Sequence, residues 1–429
     1  MTAPRYSGGP LGLPKRHGAM DNSPNVPADF LGTAFARLGQ IAPGAADTWF
    51  GLTFRIAGPC PSVDEVRARV AARLGRLPRL TERLVARATV EWERDPDFDV
   101  AHHVRTLPRH AGPLSAQEVV GTPDPARPPW GLFVAEDPDD GWRLYYVVHH
   151  ARQDVAAALR TVTALLGDED VTASAPAAAP ARRKGWSVLW PIALDLVRAK
   201  APTLQPRAYG SGRALATTEV DFALLKDVAD HAGATVNQVH WAAMSSALDR
   251  WSPRPGVPRR PVNIPVDTRA PGDSDMANRL GFMRVDLPCG DTQAPARLRA
   301  VTSSAGRRRT ARYRRVWAAL TRGANPAAMW AMQKITDHTQ VEATLSSARV
   351  AGPLSLMSAR VTGVAVLPWL PPAHTCFVLL TTYEGRAALT VLAPEGAPAP
   401  EALAGHWSAA VQELHSALVP AKETARLPR

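Results

Sequence analysis

Two histidine pairs stand in the 429-residue chain, His102–His103 and His149–His150, and only the second is followed four positions later by an acid, Asp154. In the first pair that position holds Leu107. An imidazole titrates near neutral pH, so His150 can take a proton from an attacking hydroxyl or amine and return it to a leaving thiolate. That exchange contributes about 10² to 10⁴ in rate. Asp154 can orient the ring or anchor the loop through an arginine. The competing readings are a purely structural pair and a shared cation, which His and Asp four apart on one helix can hold. No third ligand is spaced nearby, a turn is expected between His150 and Asp154, and no G-x-S-x-G elbow supports serine-hydrolase chemistry.

The elements around this motif are legible. W-R-L-Y-Y-V-V-H-H (Trp142 to His150) is dense in aromatic and β-branched residues and predicts a buried strand that ends on the histidines. The Ala- and Leu-rich segment Val155 to Leu166 predicts a helix with Asp154 at its N-cap. A strand-to-helix turn therefore presents the imidazole on a rigid support.

Upstream, residues 1 to 28 are rich in Pro and Gly, and regular structure is expected from Ala34 through Trp49 to Ile56. Val63 to Val85 has helical spacing of apolar residues, and Thr89 to Glu93 suits a strand. Downstream, strands are expected at Leu215 to Val220, Val262 to Val266, Phe282 to Leu287, Arg360 to Val366, Cys376 to Tyr383 and Ala387 to Leu392. Helices are expected at Phe222 to His231, Val236 to Trp251, a long region from Pro295 to Thr339, and Pro400 to Leu418. Gly233 ends the first of these and Thr235 caps the second. The fold class is α/β. With 429 residues exceeding one core, the expected domains are 1–170 carrying the motif, an Ala- and Pro-rich crossover at 171–214 that includes the apolar stretch Trp186 to Leu196, and 215–429.

The formal charge is +11, and one dense basic cluster runs Arg307, Arg308, Arg309, Arg312, Arg314 and Arg315. It is either a solvated helix face or a landing site for an anionic cofactor, carrier protein or lipid surface. Charge alone does not indicate nucleic acid, and none is expected as a partner. Cys60, Cys289 and Cys376 lack disulfide or zinc spacing, so no metal and a cytoplasmic setting are expected.

Several segments, in order, resemble the bacterial wax ester synthase and diacylglycerol acyltransferase family, within the superfamily of condensation domains and chloramphenicol acetyltransferase. F-D-V-A-H-H-V-R (Phe98 to Arg105) is similar to F-D-x-x-x-H-V-R, R-P-P-W (Arg127 to Trp130) to R-P-L-W, and H-H-A-R-Q-D-V (His149 to Val155) to H-H-A-x-x-D-G. V-N-Q-V (Val236 to Val239) resembles V-N-D-V, N-I-P-V-D-T-R (Asn263 to Arg269) resembles V-P-V-S-x-R, N-R-L-G-F-M (Asn278 to Met283) resembles G-N-R, and R-V-A-G-P (Arg349 to Pro353) resembles N-V-P-G-P.

The resemblance implies two chloramphenicol acetyltransferase-like domains, each a mixed sheet with helices, and an active-site tunnel between them. It implies that His150 is the base, beside His149, with Asp154 in a structural salt bridge to Arg269. It marks His102 and His103 as non-catalytic. Substrate-binding positions are expected at Val155, Asn237, Gln238 and Gly352, with Asn237 a candidate oxyanion donor. Three residues depart from the pattern: Val155 stands for glycine, Gln238 for Asp and Arg349 for Asn. A β-branched residue at 155 would narrow access to His150 and forbid φ > 0.

The expected activity is acyl transfer from a thioester to a hydroxyl or amine. Acyl-CoA or a phosphopantetheinyl (acyl or peptidyl) carrier protein serves as co-substrate, no cofactor is held permanently, and a small molecule is the acceptor. Specialised, natural-product metabolism is the first expectation. Wax ester or triacylglycerol synthesis, with peripheral membrane contact, is the alternative, and a non-catalytic binding homologue is the third reading.

Overall fold

The computed structural model describes residues 25–41, 48–110, 112–137, 141–168, 212–270, 272–273, 275–290, 293–321, 329–330, 333, 337, 340–372 and 374–420. Most of the 171–214 crossover, including Trp186 to Leu196, lies outside them.

Two six-stranded sheets organise the chain. The first runs, edge to edge, Ser355–Leu356, Ala359–Leu367, Trp49–Ile56, Trp142–His149, Trp130–Glu136 and Val104–Thr106. The second runs Leu280–Pro288, Arg259–Asp267, Ala343–Arg349, Cys376–Tyr383, Arg386–Pro394 and Arg213–Asp221. Both are mixed: Val104–Thr106 pairs in parallel with Trp130–Glu136, and Ala343–Arg349 pairs in parallel with both its neighbours. A small three-stranded sheet joins Val26–Pro27, Val90–Arg94 and Glu82–Ala86. The chain does not segregate strictly by sheet, since Ser355–Leu356 and Ala359–Leu367 cross back to extend the sheet of the motif strand.

The motif strand Trp142–His149 is buried on both faces, as its unbroken run of apolar residues requires, and it sits centrally between Trp49–Ile56 and Trp130–Glu136. The helix Val155–Leu166 follows at once, with the Asp154 carboxylate accepting a 2.9 Å hydrogen bond from the Ala157 N–H as its N-cap. Thr235 and Gln238 form a capping box at the start of Val236–Trp251, and Gly233 takes φ +61 before it.

Two expected helices are cut short. Val63–Leu74 stops at Gly75, and a 3₁₀ turn beginning at Pro78 leads directly into the strand Glu82–Ala86, because proline fits the first turn of a helix and not its interior. The region expected as one long helix is broken among the described residues: the helices Ala294–Ser304 and Arg307–Leu320 are interrupted at Ala305 and Gly306.

Helix-to-sheet contact in the second half is tightest at Gly281. A Cβ there would lie 2.4 Å from Trp317, whose indole N–H donates to the Phe282 carbonyl at 2.7 Å. Both Trp317 and the backbone it meets are buried, so neither can yield cheaply. Gly281→Ala is expected to destabilise the protein by about 1–3 kcal/mol, measured as a lowered urea midpoint with an unchanged slope.

Candidate active site

Every residue of the motif turn is held by a different part of the molecule. The His150 N–H donates to the Thr48 carbonyl at 2.8 Å, and its own carbonyl accepts from the Asn278 side chain at 2.6 Å. Arg152 bonds Glu82 at 2.8 Å while its guanidinium lies 4.2 Å over the Trp92 ring. Gln153 accepts from the Tyr146 hydroxyl at 2.9 Å and donates to Thr161 at 2.7 Å. Tyr146 and Thr161 flank the turn, but Thr48, Glu82, Trp92 and Asn278 come from distant stretches of sequence, and no spacing rule identifies them.

Asp154 accepts four hydrogen bonds. Oδ1 receives Ala157 N–H and Arg269 Nη2 at 2.9 and 3.0 Å; Oδ2 receives Arg269 Nη1 and Arg279 N–H at 2.9 and 2.7 Å. Arg269 is used as fully, donating also to Asp267 and to the carbonyls of Asp275 and Ala277. Carboxylate and guanidinium side chains are both almost wholly buried, 2% and 3% exposed, so the pair survives desolvation only because each atom is satisfied. Asp154 has no lone pair left for chemistry.

The two histidines differ. The Ala151 N–H donates to His149 Nδ1 at 3.1 Å, so His149 carries its proton on Nε2, which donates to the Thr48 hydroxyl. Both nitrogens are committed and the ring is absent from the cavity wall. This geometry sets His149 apart from His150, which does line the cavity. Burial, helped by the neighbouring His150, lowers its pKa to about 3.

His150 lies on the wall of a cavity of about 850 Å³. Its ring stacks on Phe35 at 4.1 Å, tilts against Phe50 at 4.7 Å and meets Trp369 edge-on at 5.9 Å. Phe35 reaches it because the helix Phe30–Ile41 carries Gly32 at its closest approach, where a Cβ would already lie 3.0 Å from the Ala151 carbonyl. Burial lowers the His150 pKa to about 4, against the pull of Asp154, which raises it. The imidazole is neutral at physiological pH.

The remaining expected positions divide. Val155 lines the cavity, and it does so as the first residue of a helix without positive φ, so the backbone objection to a β-branched residue there falls away and only its bulk matters. Asn237 and Gln238 do not line the cavity. Gln238 completes the cap with Thr235 and donates to the Ala305 carbonyl at 3.1 Å, because a residue at the third helical position naturally turns back on its own N-terminus. Gly352 supplies φ +63 in an exposed turn, while Arg349, Val350 and Ala351 before it reach the wall. The first histidine pair is away from the cavity, with His103 stacked on Phe98 and Trp130 and its Nδ1–H donating to the Trp130 carbonyl. No cluster of metal-ligating side chains occurs among the described residues.

The two mixed sheets with their helices have the chloramphenicol acetyltransferase-like fold of solved condensation and wax ester synthase structures, and the sequence relatives are acyltransferases, the class to which this chain is assigned. Residues 276–415 match the family model of the WS/DGAT C-terminal domain. The chain is 27% identical over 360 residues to a Mycobacterium tuberculosis (strain H37Rv) protein named as a probable diacylglycerol O-acyltransferase, covering 71% of this chain and 78% of that one. It superposes on the wax ester synthase/diacylglycerol acyltransferase from Marinobacter aquaeolei VT8 with a TM-score of 0.64 at 16% identity, covering 92% and 99% of the two chains. On the first condensation domain of the calcium-dependent antibiotic synthetase the TM-score is 0.66 at 14% identity, covering 92% and 96%.

Two outcomes follow from the geometry. Arg269→Ala leaves the Asp154 carboxylate buried without its counter-charge and is expected to cost about 3–5 kcal/mol, read from the urea unfolding midpoint. Acid should also destabilise the protein. Unfolded histidines titrate near 6.5, whereas burial holds folded His149 and His240 to about 3 and His150 to about 4, so the unfolded state binds more protons in between. Stability is therefore complete above pH 6.5 and falls as pH drops toward about 4, which thermal melts across that window should display.

Proposed function

We propose that the chain transfers an acyl group from a thioester to the hydroxyl of a lipid acceptor, a diacylglycerol or a long-chain alcohol, with His150 as general base. The observation that carries this reading is the contrast within the histidine pair: His149 has both nitrogens engaged, while His150 is neutral and lines the cavity. Nδ1 of His150 is enclosed by protein, which leaves Nε2 to face the substrate.

In the proposed reaction Nε2 takes the acceptor's hydroxyl proton as the oxygen attacks the thioester carbonyl carbon. The tetrahedral intermediate then expels the thiolate, which recovers the proton from the imidazolium, giving an ester and a thiol. A pKa near 4 makes His150 a weak base in the resting site, but it guarantees that the ring begins unprotonated. The developing imidazolium is the form that the apolar cage of Phe35, Phe50 and Trp369 disfavours, which favours prompt return of the proton. Donors to the oxyanion are sought on the cavity wall, where Ser346, Ser347 and Trp369 stand, and not at Asn237.

The names of the relatives favour lipid acceptors over the natural-product chemistry first expected from the drifted motif. The lining agrees: Phe35, Leu38, Leu52, Leu159, Phe282 and Leu379 offer an acyl chain an apolar surface. Acyl-CoA is the donor that this reading requires, and a carrier-bound thioester would serve by the same chemistry.

His150→Ala should reduce ester formation from acyl-CoA and diacylglycerol or a long-chain alcohol by about 10² to 10⁴ with little change in melting temperature. His149→Ala should chiefly lower stability, by about 1–3 kcal/mol, since it leaves two buried partners unmatched. Full turnover by the His150 variant, followed by mass spectrometry of products, sinks the mechanism.

A further inference from the structure

The second sheet turns one face to the hydrophobic core and the other to the cavity, and its strands alternate accordingly. On Arg259–Asp267 the core takes Val262 and Ile264, while Asn263 between them lines the cavity. On Ala343–Arg349 the core takes Ala343 and Leu345, while Thr344 lines the cavity. Asn263 and Thr344 are direct partners in the parallel register of these strands, so the two side chains stand next to each other with their backbones about 4.8 Å apart. Around them the wall is apolar: Phe377 pairs with Thr344 on its other side, and Pro265 follows Asn263 on the same face.

Both residues are almost wholly buried, 3% and 2% exposed, and among the described residues Asn263 Oδ1 and Thr344 Oγ1 meet no hydrogen-bond partner. A buried amide or hydroxyl left unmatched opposes folding, and Leu and Val would fill the same space without that cost. The pair is also separate from the Asp154 clasp. Four residues along its strand, about 13 Å away, Asp267 meets Arg269, whereas nothing in the clasp bonds Asn263 or Thr344. The terminal torsion of an asparagine is roughly two-fold and a threonine steps between staggered rotamers, so either oxygen can turn into the cavity to meet a ligand. An amide and a hydroxyl together offer donors and acceptors, which match a group that both donates and accepts. Charge is not called for: Arg284, the partner of Asn263 on its other side, is engaged by Asp286 and Gln340. A neutral hydroxyl fits these conditions.

We propose that Asn263 and Thr344 form a polar subsite in the apolar cavity that binds a hydroxyl carried along the aliphatic chain of a substrate, so that the protein selects a hydroxylated chain over a plain one. This rests on the reading that the cavity takes an aliphatic chain, but the selection is measurable without turnover.

The test is equilibrium dialysis of the full chain against two series of probes: octadecanoic acid with its monohydroxy isomers, and octadecanol with the octadecanediols. One isomer is expected to bind about tenfold tighter than the plain chain of its series. A preference among the acids assigns the hydroxyl to the acyl donor, and one among the alcohols assigns it to the acceptor. Asn263→Leu combined with Thr344→Val should abolish the preference while the melting temperature holds or rises, because two unmatched polar groups become apolar at similar volume. Thr344→Ser keeps the hydroxyl and should keep the preference. Equal binding of plain and hydroxylated chains in both series, the result if water alone satisfies the pair, overturns the subsite and leaves the lipid reading standing. So does a preference that survives in the double variant. Absence of binding by every chain removes the lipid reading and this inference together.

Discussion

The turn that carries His150 depends on one carboxylate. Asp154 caps the helix Val155–Leu166, receives both terminal nitrogens of Arg269 and holds the Arg279 N–H, so a single side chain ties a helix of the motif half to two points of the other half. Its four bonds use its accepting capacity. Coulomb attraction alone would not hold such a pair out of water; complete hydrogen bonding does. The residues from Arg269 to Arg279 then form a clasp over the turn, with Asn278 holding the His150 carbonyl.

That clasp fixes the backbone of His150, and aromatic rings fix its side chain. The two tasks are separate. Gly32 allows the Phe30–Ile41 helix to approach the turn, and Phe35 and Phe50 then determine the plane of the imidazole. The same enclosure removes water and lowers the pKa to about 4, so positioning and weakened basicity arise from one cause. His149, one residue earlier, points away from the cavity because successive side chains of a strand alternate, and it is consumed by Thr48 and Ala151.

Two of the three departures of this chain from the motif it resembles act at the wall of the cavity and not on its frame. Val155 and Arg349 both reach the wall, whereas Gln238 sits in a helix cap. Their effect is on the shape and charge of the cavity, and the clasp that holds His150 is intact.

The sequence by itself determined the strand, turn and helix around His150, the N-cap role of Asp154 and most downstream elements, including Val236–Trp251, Cys376–Tyr383 and Pro400–Leu418. These depend on local periodicity and on caps within four residues of one another, which a linear reading captures. Resemblance, not spacing, singled out Arg269, because its 115-residue separation from Asp154 carries no local signal. Only the tertiary structure decided which histidine faces the cavity, that Gln238 is spent on its own helix, and that Gly32, Phe35, Trp369 and Asn278 build the site. Each is settled by which surfaces meet when two sheets and their helices pack, and that meeting has no period in the sequence.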